Sequence, residues 1–178
     1  MRSEHVILVD SSDREIGTEE KLSAHRRGVL HRAFSAFVVH PDGRMLLQRR
    51  ALRKYHSAGL WSNTCCSHPR PGETVIEAAE RRMVEEMGVS VDLEPVFSFT
   101  YRADLEHNLI EHEFDHVLIG RSSAPPRPAE QEVADWRWVT VADIRNQLMR
   151  SPEDFTIWFR LVFDRVVDVL EADGGKAA

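Results

Sequence analysis

Thr74-Val75-Ile76-Glu77-Ala78-Ala79-Glu80-Arg81-Arg82-Met83-Val84-Glu85-Glu86-Met87-Gly88 carries the strongest helix signal in the chain. Thr74 with Glu77 three residues on has the form of a capping box. Ile76, Ala79, Met83 and Met87 recur at helical spacing, and Gly88 closes the helix. With Ile76 at the centre of the apolar stripe and ~100° per residue, Glu85 falls at ~180°, in solvent. Glu86 falls at ~280°, at the border of the stripe, with Arg82 one turn before it. Glu86 is therefore expected to face a cleft beside the core. The plain alternative is an Arg82–Glu86 helix pair worth a few tenths of a kcal/mol.

Strands surround this helix. Upstream, Glu4–Val9 reads as a short strand, with a turn and return at Asp13–Gly17. Arg32–Val39 and Met45–Arg49 read as a hairpin about Pro41-Asp42-Gly43. Pro69–Gly72 is the loop that feeds the helix. Downstream, Val89–Arg102, Leu109–Gly120 and Trp136–Val139 read as strands, with a stiff Ala124–Pro128 loop too short for a domain boundary. Thr140–Asp143 caps a short helix. Ser151-Pro152-Glu153-Asp154 opens a last one, with Phe155, Trp158, Val162, Val166 and Leu170 on one stripe. There are no repeats. The pattern predicts one mixed α/β (α+β) domain over residues 1–171 and a frayed tail over 172–178.

At 178 residues, 42% of them hydrophobic and 29% charged, the chain suits a single globular domain with its own core. The net charge of −6 argues against nucleic acid or an anionic membrane as partner. Yet between Lys21 and Arg53 stand Lys21, Arg26, Arg27, Arg32, Arg44, Arg49, Arg50 and Arg53 against the single acid Asp42, enough to hold a small anion. The four apolar residues Val6–Val9 are too few for a secretory signal. Cys65 and Cys66, as neighbours, are poorly placed to staple anything, so a cytoplasmic protein is expected.

Three segments carry possible chemistry. In Leu109–Leu118, a strand puts Glu111, Glu113 and Asp115 on one face. Three carboxylates at period two require either a solvated face or a cation, and both readings stand on this segment alone. His25 and His31 flank Gly28, which suggests a loop or an extended entry to the strand at Arg32. His68 follows Cys66 by two. Cys65-Cys66-Ser67-His68 has no second cysteine pair to complete a structural zinc site. Cys66 reads either as a small buried hydrophobe or as a proton-transferring thiol.

Gly72-(x)₈-Arg81-Arg82-Met83-Val84-Glu85-Glu86-Met87-Gly88-Val89 resembles a degraded Nudix box. It differs from the hydrolase pattern at Ala78 and Arg82, where that pattern has glutamates used for diphosphate hydrolysis. With Lys21…His25, His31-Arg32-Ala33-Phe34-Ser35, Arg49-Arg50-Ala51-Leu52, Gly59–Pro69, Phe99–Ala103 and Glu111-His112-Glu113, the chain is similar over nearly its whole length to the type I isopentenyl-diphosphate delta-isomerases. The resemblance implies a single Nudix-like domain, its mixed sheet sandwiched by helices, and interconversion of isopentenyl and dimethylallyl diphosphate through a tertiary carbocation in isoprenoid biosynthesis. It implies a metal site of His25, His31, His68, Glu111 and Glu113 holding Mn²⁺ or Mg²⁺, with Zn²⁺ also compatible. It further implies a Mg²⁺ joining the substrate diphosphate to Glu86 and the Cys66 carbonyl. Cys66 and Glu113 would exchange the protons, with Tyr101 beside Glu113 and Trp158 over the cationic carbon. Lys21, Arg50, Lys54 and Arg82 would hold the diphosphate. Asp115 has no role in the family pattern. A monomer or weak homodimer acting on a small diphosphate is expected, and a Nudix hydrolase of a nucleoside diphosphate derivative is the alternative.

Overall fold

The computed structural model describes residues 4–174. Strands β1 (His5–Val9) and β2 (Glu15–Glu20) lead into helix α1 (Lys21–Arg27) and strand β3 (His31–Val39). Then come β4 (Met45–Arg50), the short β5 (Trp61–Ser62) and β6 (Cys65–Ser67), and α2 (Val75–Arg82), extended by a π-helical turn over Met83–Met87. The chain continues through β7 (Leu93–Asp104), β8 (Ile110–Arg121), β9 (Val133–Val139), α3 (Val141–Arg150) and α4 (Ile157–Gly174). Of the predicted tail, Ala172–Gly174 is helical and residues 175–178 lie outside the described residues. No helix among the described residues is long and apolar enough to cross a membrane.

The strands form one mixed sheet. β3 runs parallel to β8 in register His31↔Glu113 through Val39↔Arg121, and β8 pairs antiparallel with β7, Tyr101 opposite Glu113. Side chains of β3 alternate between two cores. Phe34, Ala36 and Val38 pack with Ala78, Ala79, Met83 and Met87 of α2, while Phe37 packs with Phe155, Trp158, Phe159 and Val162. The sheet is thus sandwiched between helices, as expected.

The β3–β4 hairpin closes at its turn, where the His40 N–H donates to Arg44 O at 2.8 Å, but the two strands share only the pair Val39↔Met45. Beyond it they splay, β3 taking β6 and β8 as partners and β4 taking β5 and β9. The predicted ladder is therefore a gap. Thr64 bridges it, its hydroxyl donating to Leu46 O (2.7 Å) and accepting from Val38 N (2.9 Å). Gln48 and Asn63 line the same gap with amide bonds to Thr64 O, Ala36 O and Cys65 O.

Three further readings are corrected. His25 lies on α1, not on loop or extended chain. The helix has seven residues and no apolar period, and its ends depend on Glu20 accepting from Leu22 N and Ser23 N and on Gly28 in the left-handed region. Ile76 is 39% exposed, so the buried face of α2 centres nearer Ala79 and Glu86. Glu86, at 3% exposure, still lines a pocket beside the core, as expected. Finally, Pro152–Asp154 forms a separate single turn, and Phe155 is extended, bridging to Trp61, before α4 begins.

Gly88 has φ +64, and a Cβ there would come 2.4 Å from the Arg127 carbonyl oxygen. That segment is pinned by Arg127 N to Met87 O (2.8 Å) and Ala129 N to Glu86 O (2.9 Å). Left-handed backbone alone costs an L-residue about 1–2 kcal/mol. Gly88→Ala is expected to lower stability by about 2 kcal/mol or more once the clash is added, read as a lower urea midpoint at unchanged m-value.

Candidate active site

Five side chains from four segments of the chain converge. One ligand atom from each of His25, His31, His68, Glu111 and Glu113 lies within 4.8 Å of all the others. The parallel register that sets His31 beside Glu113 supplies two of them, and α1 supplies His25. The His25 Nδ1 faces the Lys21 carbonyl at 2.7 Å and the His31 Nδ1 faces the Val29 carbonyl at 2.8 Å. A protonated Nδ1 donating to each carbonyl leaves both Nε2 atoms as lone-pair donors toward the cluster. The His31 and His68 Nε2 atoms then stand 3.2 Å apart, and His68 Nε2 lies 2.8 Å from Glu113 Oε1. His25 Nε2 and Glu111 Oε2, 3.4 Å apart, are both buried without a hydrogen bond. Buried polar atoms are rarely left so. Converging imidazole and carboxylate donors with orphaned atoms fit a divalent cation.

The three acids of β8 do share one buried face, so the solvated-face reading does not hold. Their repulsion is relieved in two ways. Burial raises the Glu113 pKa, but His31 and the Tyr101 hydroxyl, which donates to Glu113 Oε2 at 2.7 Å, outweigh it and hold the carboxyl below its ordinary range. Asp115, deeper on the strand, is pushed well up by burial and by the Glu113 charge. It keeps its proton, with Ser35 Oγ donating to Oδ2 at 2.7 Å.

The adjacent cysteines point to opposite faces of the sheet. Cys65 is fully buried against α2, whereas Cys66 opposite Ser35 is half-buried on the Glu113 face. Burial pushes the Cys66 thiol up to about 12, with Arg50 opposing the shift, so the group carries its proton at neutral pH. Cys66, His68, Glu86, Tyr101, Glu111, Glu113 and Trp158 all line one pocket of about 490 Å³ including its mouth. Trp158 serves both core and pocket. It is 3% exposed, and its Nε1–H donates to Ser62 Oγ at 3.0 Å.

Lys21, Arg50, Lys54 and Arg82 line the same pocket. Three have carboxylate partners: Lys21 has Glu4 at 3.3 Å, Lys54 has Glu132, and Arg82 has Glu85 at 2.8 Å and Glu86 at 3.1 Å (from Nε). Arg50 has none among the described residues. It is 7% exposed, its Nε has no acceptor, and its Nη2 donates to His56 O at 3.2 Å. A buried guanidinium is ordinarily paired, so this one marks a place for an anion.

His56 carries no pattern in the sequence that marks it as functional. It is buried in the pocket wall, its Nε2 3.4 Å from Glu111 Oε1 and its ring edge-on to Trp158 at 6.0 Å. Burial lowers its pKa to about 3. Gln48, which donates to Glu86 Oε2 at 3.2 Å, was missed as well, because a glutamine inside a strand carries no signal.

A family profile described as the NUDIX domain matches residues 29–159. "Isopentenyl-diphosphate Delta-isomerase 1" of Aromatoleum aromaticum is 51% identical over 175 residues, 98% of this chain and 99% of that protein. "Isopentenyl-diphosphate Delta-isomerase" of Serratia proteamaculans is 50% identical over 156 residues, 88% of this chain and 87% of that one. Among solved structures, a Deinococcus radiodurans protein superposes with TM-score 0.69 at 23% identity, covering 82% of this chain and 89% of its own. A MutT protein from Methanosarcina mazei gives 0.63 at 21%, covering 76% and 91%. The two structural likenesses bear on the fold alone.

Proposed function

The chain belongs to the NUDIX family and, within it, to the type I isopentenyl-diphosphate delta-isomerases; on that premise we propose that it interconverts isopentenyl and dimethylallyl diphosphate by proton addition and removal through a tertiary carbocation. The observation that carries the mechanism is a thiol and a carboxylate, Cys66 and Glu113, lining one pocket together with Trp158 and four cationic side chains.

The shift of the double bond needs a proton delivered to C4 and another removed from C2. One of Cys66 and Glu113 gives the first and the other takes the second, and the reverse reaction exchanges their parts. The Tyr101 hydroxyl, bonded to Glu113 Oε2, orients that carboxylate. Between the two steps C3 is a tertiary cation that water would capture, so the wall of the pocket has to keep water out. Trp158 presents an aromatic face to such a cation, an interaction worth about 2 kcal/mol when desolvated. Arg50, Lys54, Lys21 and Arg82 hold the diphosphate, Arg50 being without a carboxylate partner among the described residues.

The donors of His25, His31, His68, Glu111 and Glu113 would hold Mn²⁺, Mg²⁺ or Zn²⁺, and Glu86 with the Cys66 carbonyl would hold Mg²⁺ against the diphosphate. Bound there, the ions supply fixed positive charge that sets the proton affinity of Glu113 and neutralises the diphosphate. The hydrolase alternative finds less support. Ala78 is buried in the α2 core, and Arg82 is engaged by Glu85 and Glu86.

Isopentenyl diphosphate incubated with the protein and Mg²⁺ in deuterated water tests the reading. Dimethylallyl diphosphate carrying solvent deuterium is expected by NMR. Absence of both allylic product and deuterium rejects it, and phosphate release from a nucleoside diphosphate derivative that survives Cys66→Ala would point to hydrolysis instead.

A further inference from the structure

Two of the four pocket cations share a carboxylate that the reaction does not use. Glu132 precedes β9, and its side chain is 23% exposed. Its Oε2 forms the ion pair with Lys54 and stands 3.5 Å from Arg82 Nη2. The backbone fixes it in place. Its N–H donates to Ala129 O at 2.9 Å, and its own carbonyl accepts from Ala51 N at 3.0 Å, at the root of the loop that carries Lys54. Burial would raise the carboxyl's pKa, but Lys54 and Arg82 outweigh that and keep it below its ordinary range.

We propose that Glu132 is a stand-in anion for the substrate diphosphate: its carboxylate bridges Lys54 and Arg82 while the pocket is free, and the diphosphate displaces it from them. This rests on the diphosphate reading of the pocket. The geometry gives the clamp two grades of cation. Arg50, buried with an unpartnered Nε, is open to an incoming anion from the start. Lys54 is shielded by Glu132, and Arg82 by Glu132 together with Glu85 and Glu86, so an anion must compete for both. A resident carboxylate has two effects. It holds a flexible lysine near its working position, so less side-chain freedom remains to be lost on binding. It also opposes the bound diphosphate by like-charge repulsion, which weakens ground-state binding and hastens departure of product. Glu132 is thus a positioning residue that sets diphosphate affinity, and it takes no part in proton transfer.

Calorimetric titration with inorganic diphosphate at fixed Mg²⁺ decides the matter. Wild-type protein should bind it, and failure to do so would reject the diphosphate reading itself. Glu132→Gln keeps the shape and removes the charge. It should bind about fivefold tighter or more, and the gain should vanish when Lys54→Gln is added. Equal or weaker binding by a folded Glu132→Gln variant, with the wild type binding normally, overturns the role of Glu132. If that variant does not fold, Glu132→Asp decides in its place. Its shorter carboxylate retreats from both cations, so tighter binding than wild type supports the proposal and equal or weaker binding overturns it. A Glu132 that merely buttressed the fold would lower the melting temperature with no gain in affinity.

Discussion

Replacing Cys66 with alanine is expected to lower isomerisation of isopentenyl diphosphate by about 10³-fold or more while leaving the fold intact. The thiol is one of the two groups assigned the proton exchange, and alanine has no proton to give. Little packing is lost, because the side chain is small and half-buried. The neighbour Cys65 cannot replace it, since the strand turns that thiol into the α2 core. Burial sets the protonation state. With the thiol pushed up to about 12, it is protonated through the neutral range and can serve as a donor. Alkylation by iodoacetamide should therefore be slow at pH 7 and accelerate as pH rises toward that value, because the thiolate is the nucleophile. Fast alkylation at pH 7 together with retained activity in Cys66→Ala would remove the thiol from the mechanism.

The second large effect is expected at Glu113. Glu113→Gln removes a proton acceptor and a charged ligand atom at once, so turnover should fall by about 10³-fold. Affinity for Mn²⁺ should fall at least about tenfold, since even residues that only support metal ligands cost 10–100-fold. Tyr101 would still have an oxygen to bond, so gross misfolding is not the expected cause. Glu85→Gln is the matched control. Glu85 is 38% exposed and ion-paired to Arg81 and Arg82, so its loss should change turnover by no more than about twofold. Parallel losses in the two variants, or metal binding unchanged in Glu113→Gln, would contradict the site as described. Exhaustive chelation should abolish activity, and Mn²⁺ or Mg²⁺ should restore it.

What could be read from the sequence follows from the range of the interactions involved. The capping box at Thr74 and Glu77, and the alternation of Glu111, Glu113 and Asp115, are local, and both are present as expected. The five-residue cluster was legible only through family resemblance, because its members are brought together by a parallel pairing 82 positions apart, His31 to Glu113. Local reasoning failed where the stabilising contact is distant. Helix α1 has too few residues to show a period and relies on a glutamate cap. The splay of β3 from β4 is decided by β6 and β9, and no hairpin rule contains them. The stripe of Ile76, Ala79, Met83 and Met87 does not centre on Ile76, because the small Ala78 is buried beside it and turns the face toward Ala79 and Glu86. The same shift places Glu86, a charged residue, deeper than a hydropathy pattern would allow. His56 and Glu132 have no sequence signature. Their positions depend on where a ten-residue loop and the approach to β9 cross the pocket.

Whether three imidazoles and two carboxylates surround one ion beside the thiol pocket is decided by diffraction from crystals grown with Mn²⁺, with data collected at the manganese absorption edge. One strong anomalous peak is expected about 2.0–2.3 Å from nitrogen atoms of His25, His31 and His68 and from oxygens of Glu111 and Glu113. A fully occupied ion elsewhere with these five side chains unligated, or no peak at saturating Mn²⁺, would contradict it.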